Sequence, residues 1–286
     1  MIEVFYIAYL KKDSKWGIEA FNKFFKSYET HSAGIEHKLT ILLRGFENNP
    51  EDYQKIKQFC KEKNIKTIDT KDVGFDFGAY LDGAKQSSAD YIFCMNTTCE
   101  IMCDDWLKKL YSPTEKNKKY KLVGVNGAYE ICQDYLLDVR SAQNKTEKIK
   151  AFLNSIDIFR RLYRFFFTPF SKDFPNYLIR TSAFLTDKNL FLEYFKIHNL
   201  PENKIDSYQI EGGKSSFSRF ILEKGFDYCV IDKKGNIFDK EHFEESGTYR
   251  SDKKNYIIKD RHCEKYESSN FLIKIYLRKI CWGKSF

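Results

Sequence analysis

Short apolar runs alternate with stretches of helical spacing through the first 126 residues, and this order constrains the fold more than any other feature. Residues 2–10 read as a buried first strand. Ile18, Phe21, Phe24 and Phe25 then recur at helical spacing within residues 16–28. Residues 37–46 form a second strand rich in Leu and Ile. Pro50 opens a helix to about residue 63, at a position where the missing N–H is harmless. Residues 65–69, 90–95 and 121–126 read as strands, with helices over 78–86 and 106–111 between them. Strand–helix alternation at this spacing predicts an α/β fold, with a mostly parallel sheet flanked by helices.

The regularity then changes. Residues 130–172 read as helical, without a strand. A strand over 176–186 precedes a helix over 187–196. A helix over 215–224, a strand over 228–232 and a helix over 268–284 complete the chain. There is no repeat and no flexible linker, which favours one domain. Its expected parts are 1–129, a helical insertion at 130–175, a second half at 176–267 and a basic amphipathic C-terminal helix at 268–286.

Composition removes several classes. With Phe 26 and Tyr 19 in 286 residues, the chain has enough apolar area to fold. No apolar run reaches the ~20 residues needed to span a bilayer, and residues 1–10 lack the basic start and small-residue cleavage site of a signal peptide. A cytoplasmic location is expected. The eight cysteines make no C-x-x-C pair, so buried free thiols are expected rather than zinc.

The net charge of +8 is uneven. Residues 145–172 hold seven bases against Glu147 and Asp157, a net of +5, and residues 253–286 hold nine against Asp260, Glu264 and Glu267, a net of +6. The body between and before them is mildly acidic. Local positive charge of this kind suggests an anionic partner.

Several familiar motifs are missing. No G-x-G-x-x-G follows the first strand, which disfavours a dinucleotide site. Gly213-Lys214-Ser215 imitates the end of a phosphate loop, but the first glycine of that motif would stand at Tyr208. There is no G-x-S-x-G elbow. More informative is Val73-Gly74-Phe75-Asp76-Phe77-Gly78-Ala79-Tyr80, whose two glycines and one acid lie between a strand and a helix. Glycines there either bring backbone close to a ligand or only turn the chain. The strand ending in Asn96-Thr97-Thr98 delivers polar groups to the same sheet edge, where α/β folds collect ligands.

The ordered set G-F-D-F-G-A-Y (74–80), A-D-Y-I-F-C-M-N-T-T (89–98) and D-W-L (105–107) resembles the amino half of GT-A-type glycosyltransferases. The likeness is to family-two enzymes and the rhamnan-synthesis group of bacterial surface-polysaccharide assembly. Residues 179–185, 209–216 and 277–283 continue it, so it covers about 2–129 and 176–286. The resemblance implies a nucleotide-sugar donor and a glycan or lipid-linked acceptor, as in lipopolysaccharide or capsule synthesis. It implies Glu211 as general base, with Gly74, Asp76, Gly78, Asn96, Thr97 and Thr98 lining the donor site. Tyr9 and Arg44, which end the first two strands, would border the base and meet phosphate. Arg180 and Lys214 would lie on the phosphate or acceptor side. The competing readings are an exposed loop acid for Glu211, a first-turn acid for Asp76, core for Tyr9 and a solvated strand end for Arg44.

One departure matters. The family's D-x-D acids, which hold a divalent cation, correspond here to Asn96-Thr97-Thr98. Three arrangements are open: no metal, with bases on the diphosphate; a metal on other groups, such as Glu100, Asp104 and Asp105; or lost catalysis. Asp104 and Asp105 also suit a helix start. His242 and His262 lie where some relatives place a metal ligand.

The two basic segments are also rich in aromatics. Arg160, Arg161 and Arg164 share one helical face, and Lys274 and Arg278 stand four apart near Trp282. Such helices suit an anionic membrane surface, with peripheral attachment at the inner face of the cytoplasmic membrane. No nucleic-acid module is present, and no nucleic-acid partner is expected.

Overall fold

The computed structural model describes residues 1–10, 17–130 and 174–283. Nearly all of the expected helical insertion, including Arg160, Arg161 and Arg164, lies outside the described residues.

The first strand, β1 (Ile2–Tyr9), is buried along seven of its eight residues, as a strand covered on both faces must be. Phe5 and Ile7 enter one core, while Val4, Tyr6 and Ala8 enter the other. The polar exception, Glu3, accepts hydrogen bonds from Thr40 Oγ1 at 2.6 Å and Ser87 Oγ at 2.5 Å. β1 pairs in parallel with β2 (Lys38–Arg44) and β4 (Tyr91–Met95), and β2 pairs with β3 (Lys66–Thr70).

The same sheet continues beyond β4. β9 (Ala183–Asp187) runs antiparallel between β4 and β6 (Tyr120–Gly124), then come β10 (Asp227–Ile231) and the antiparallel edge β11 (Ile237–Asp239). This is the mostly parallel sheet flanked by helices that the alternation implies. Both halves of the chain contribute strands to it. On one face pack α1 (Gly17–Thr30), α2 (Pro50–Glu62) and α4 (Trp106–Lys116), through Phe21, Phe24, Ile56 and Trp106. The other face carries α3 (Phe75–Lys85), α5 (Lys188–Ile197), α6 (Lys204–Gly212) and α7 (Phe217–Glu223), through Phe77, Tyr80, Phe191, Ile210 and Phe220.

Three departures from the sequence reading shape the functional edge. First, α3 begins at Phe75 rather than residue 78. Gly74 takes the left-handed conformation (φ 71°) before it, and a Cβ on Gly78 would stand 2.0 Å from the Val73 carbonyl oxygen. These glycines therefore turn the chain tightly and present Phe75, Asp76 and Phe77.

Second, the strand expected over 176–186 is broken. β8 (Leu178–Ile179) pairs with β7 (Gly127–Ala128) in a separate ladder, and only Ala183–Asp187 joins the main sheet. The polar Arg180-Thr181-Ser182 between them is set free of the main sheet. Third, Glu211 lies in the last turn of α6. A reciprocal capping box between Asn203 and Asp206 starts that helix, a signal the sequence carried at 203–206.

Past β10, the short helix α8 (Phe243–Ser246) and the strand β12 (Ile258–Lys259) lead into α9 (Arg261–Glu267). β12 pairs antiparallel with β5 (Glu100–Ile101). This places residues 260–262 beside the end of β4.

The last helix, α10 (Phe271–Trp282), corrects part of the membrane-surface expectation. Trp282 is only 5% exposed and meets the Tyr129 ring edge-on at 5.1 Å. A tryptophan buried there cannot enter a lipid headgroup layer. Lys274 and Arg278 both pair with Asp252, at 3.2 and 2.6 Å. The exposed apolar groups of this helix are instead Phe271 and Leu272. Among the described residues, no helix is long and apolar enough to cross a membrane.

Candidate functional site

The carboxyl ends of β1, β2 and β4 and the amino end of the antiparallel β9 reach the same edge of the sheet. A cleft of about 350 Å³ opens there. Tyr9, Arg44 and Asn96-Thr97-Thr98 line it from the strand ends, and Phe75-Asp76-Phe77 from the first turn of α3. Arg180-Thr181-Ser182 line it from the break before β9. Lys204, Ser207, Tyr208 and Glu211 enter from α6, and Arg261 and His262 from the start of α9.

Glu211 is held on one side only. Its Oε1 accepts the Thr181 backbone N–H at 2.9 Å and the Thr181 hydroxyl at 3.2 Å, and lies 3.6 Å from Arg180 Nε. Among the described residues Oε2 accepts no hydrogen bond. A carboxylate fixed through one oxygen, with the other open to a cleft, is arranged to take a proton.

Arg180 is 4% exposed and also donates to Glu130 Oε2 at 3.2 Å. Glu130 pairs in turn with Arg250, which donates to the Leu277 carbonyl at 3.0 Å. Burial opposes the charge on Arg180, but Glu211, Tyr249 and Glu130 outweigh it and keep the guanidinium protonated. Arg180 thus positions Glu211 instead of standing as an unengaged phosphate ligand. Lys214, expected beside it, is exposed and is not among the residues lining the cleft.

Arg44 is similarly committed. Its guanidinium lies 2.8 Å from Asp72 and 3.3 Å from Asp76, and 5.0 Å from the centre of the Tyr9 ring. Two carboxylates already balance it, so it orients Asp76 and Tyr9 at the cleft wall. The surrounding protein pushes the Asp76 pKa up, while Arg44, Arg261 and Lys204 pull it down.

The turn after β4 is neutral and internally satisfied. Asn96 Oδ1 accepts from the Thr98 N–H and hydroxyl, each at 3.0 Å, and from Cys99 Sγ at 3.4 Å. The Thr97 carbonyl accepts the Tyr6 hydroxyl at 2.8 Å. Hard divalent cations favour carboxylate oxygens, which this turn does not offer. Glu100, Asp104 and Asp105 are not among the lining residues. Asp104 accepts the Ser32 N–H at 3.0 Å, and Asp105 occupies the N-cap position of α4 without a side-chain capping bond. His242 is also away from the cleft and pairs with Glu245 at 2.8 Å. Among the described residues, no group of three or more His, Cys, Asp or Glu side chains is arranged to hold a metal. The donors at the expected position, neutral and already hydrogen-bonded, do not fit one.

His262 does line the cleft. Burial lowers its pKa from 6.5 to about 3, with Asp260 opposing and Arg180, Arg261 and Arg250 assisting. The unfolded chain takes up this proton near pH 6.5 and the folded chain only near pH 3, so stability falls as pH drops through that window. His262→Gln should flatten the fall. Urea midpoints of both proteins at about pH 7 and about pH 5 read it.

The structure therefore brings together Tyr9, Arg44, Asp76, Asn96, Thr97, Thr98, Arg180 and Glu211, with Gly74 and Gly78 shaping the loop behind them. It leaves out Lys214. The sequence reading missed Thr181, Ser182, Lys204, Ser207, Tyr208 and Arg261 as lining residues. The capping box could have placed Lys204 and Tyr208 on the Glu211 helix. Arg261 had no local signal, because a long-range strand pair places it.

No protein-family model matches the sequence, and no curated protein matches it. Among solved structures, the chain is similar to a CMP:2-keto-3-deoxy-manno-octonic acid synthetase complexed with CTP. The identity is 10% and the TM-score 0.41, over 86% of this chain and 96% of that one. It is also similar to glucosyl-3-phosphoglycerate synthase from Mycobacterium tuberculosis, in complex with Mn2+, UDP and glucosyl-3-phosphoglycerate. There the identity is 11% and the TM-score 0.34, over 66% of this chain and 57% of that one.

Proposed function

We propose that this chain is a GT-A-like glycosyltransferase that moves a sugar from a nucleotide-activated donor to a hydroxyl of a growing surface glycan. The observation that carries the reading is Glu211, anchored through one oxygen with the other open, in a cleft at the carboxyl edge of a parallel sheet. Ligands collect at such edges in α/β folds.

In this reading Glu211 accepts the proton of the acceptor hydroxyl. The hydroxyl oxygen bonds the anomeric carbon while the bond from that carbon to the diphosphate oxygen breaks. The diphosphate leaves with the negative charge, which cationic groups in the cleft stabilise. Tyr9 and Asp76 border the donor. Phe271 and Leu272, two neighbouring exposed apolar side chains, support a lipid-linked acceptor at a membrane surface.

The direct test is turnover. The protein is incubated with UDP-, GDP-, CDP-, ADP- and dTDP-sugars and a lipid-linked acceptor extract, and release of the nucleoside diphosphate is measured. Acceptor-dependent release from one donor is expected. A second reading, a catalytically silent component of a glycan-assembly complex, draws on the neutral Asn96-Thr97-Thr98 turn. It predicts liposome binding without nucleotide binding, and no nucleotide release from any donor.

A further inference from the structure

The geometry points to Lys204 and Arg261 as the pair that takes the donor's diphosphate, in the place where a carboxylate-held metal ion would otherwise stand. This rests on the glycosyltransferase reading of the cleft. Among the described residues, Arg44, Arg180, Lys204 and Arg261 are the arginines and lysines lining the cleft. Arg44 is held by Asp72 and Asp76, and Arg180 by Glu130 and Glu211. Lys204 differs: no carboxylate among the described residues lies within ion-pair distance of its ammonium. Aromatic rings hold it instead, with Tyr208 at 5.0 Å and Phe75 at 5.9 Å from Nζ to ring centre. Such packing limits where the charge can go without neutralising it.

Arg261 is fixed by a different device. The pairing of β12 with β5 docks residues 258–259 on 100–101, and the Arg261 backbone N–H donates to Thr98 Oγ1 at 3.4 Å. A cationic residue is thereby tethered to the turn that holds Asn96-Thr97-Thr98 in place of metal-binding acids, and its side chain lines the same cleft. The two cations also sense each other. The Lys204 pKa is lowered first by burial and then by the Arg261 charge. Like charges gathered in one cleft are relieved by a polyanion, and a diphosphate is one.

The test is calorimetric binding of UDP, GDP, CDP, dTDP and ADP to the full chain, each with EDTA and again with Mn2+. The expected result is saturable binding of one nucleotide in EDTA, with little change on adding Mn2+. Lys204→Met and Arg261→Met should each weaken it about tenfold or more, the loss of one charge-assisted contact. Lys224→Met, which removes contacts with Glu193 and the Phe220 ring away from the cleft lining, should leave it unchanged. Melting temperatures confirm that each variant is folded, and Arg261→Lys should recover part of the loss if Arg261→Met is unstable. Binding that requires Mn2+, or that survives both Met variants, overturns the cation pair while leaving the glycosyltransferase reading intact. Failure of every nucleotide in both conditions overturns that reading and the pair with it.

Discussion

Glu211→Gln is expected to lower glycosyl transfer by about 10²–10⁴-fold, the range of a lost general base. The substitution is nearly isosteric. A Gln Oε1 can still accept the Thr181 N–H, and Arg180 keeps Glu130, so the last turn of α6 should hold its place. Nucleotide affinity should therefore be nearly unchanged. The loss belongs in kcat and not KM, because only the proton acceptor has gone. Steady-state kinetics alongside nucleotide calorimetry separate the two. Near-wild-type turnover would move the base elsewhere, and a parallel loss of binding would make Glu211 a structural residue.

The second large effect is on stability. Arg180→Met should destabilise the fold by about 3–5 kcal/mol, the usual cost of removing one member of a buried ion pair. Arg180 joins Glu130 and Glu211, and both carboxylates are at least nine-tenths buried. Without Arg180, among the described residues Glu130 keeps Arg250 as its cation, and Glu211 keeps the Thr181 donors but no cation within ion-pair distance. Glu211 is the acid left without a cation, so Glu211→Gln in the Arg180→Met background should recover part of the loss. Urea unfolding of the three variants measures this. A change below about 1 kcal/mol would mean that the cluster is solvated and Arg180 does not hold Glu211 in place.

How far the sequence foretold this site depends on the range of the interactions that built it. Strand ends are local, so Tyr9, Arg44 and Asn96-Thr97-Thr98 could be placed at one edge from hydrophobic patterning alone. The glycines at 74 and 78 announced a tight turn, and Asp76 came with them. Partners across the chain were not legible. Arg44 reads as an unengaged strand-end cation until Asp72 and Asp76 are seen closing on it. Arg180 reads as a strand residue until β8 and β9 prove to belong to different sheets. Trp282 reads as a membrane anchor beside Lys274 and Arg278, because helical spacing cannot say which face Tyr129 covers. Arg261 reaches the cleft only through the pairing of two-residue strands more than 150 positions apart, and no sequence window carries that.

The central claim is that the cleft between Tyr9, Asp76, Glu211 and Arg261 is the nucleotide-sugar site. A crystal structure of the protein soaked with the nucleoside diphosphate that binds it in solution tests this most directly. The account predicts the base beside Tyr9 and Asp76 and the two phosphates against Lys204 and Arg261. Nucleotide bound elsewhere on the protein, with this cleft empty, would contradict it.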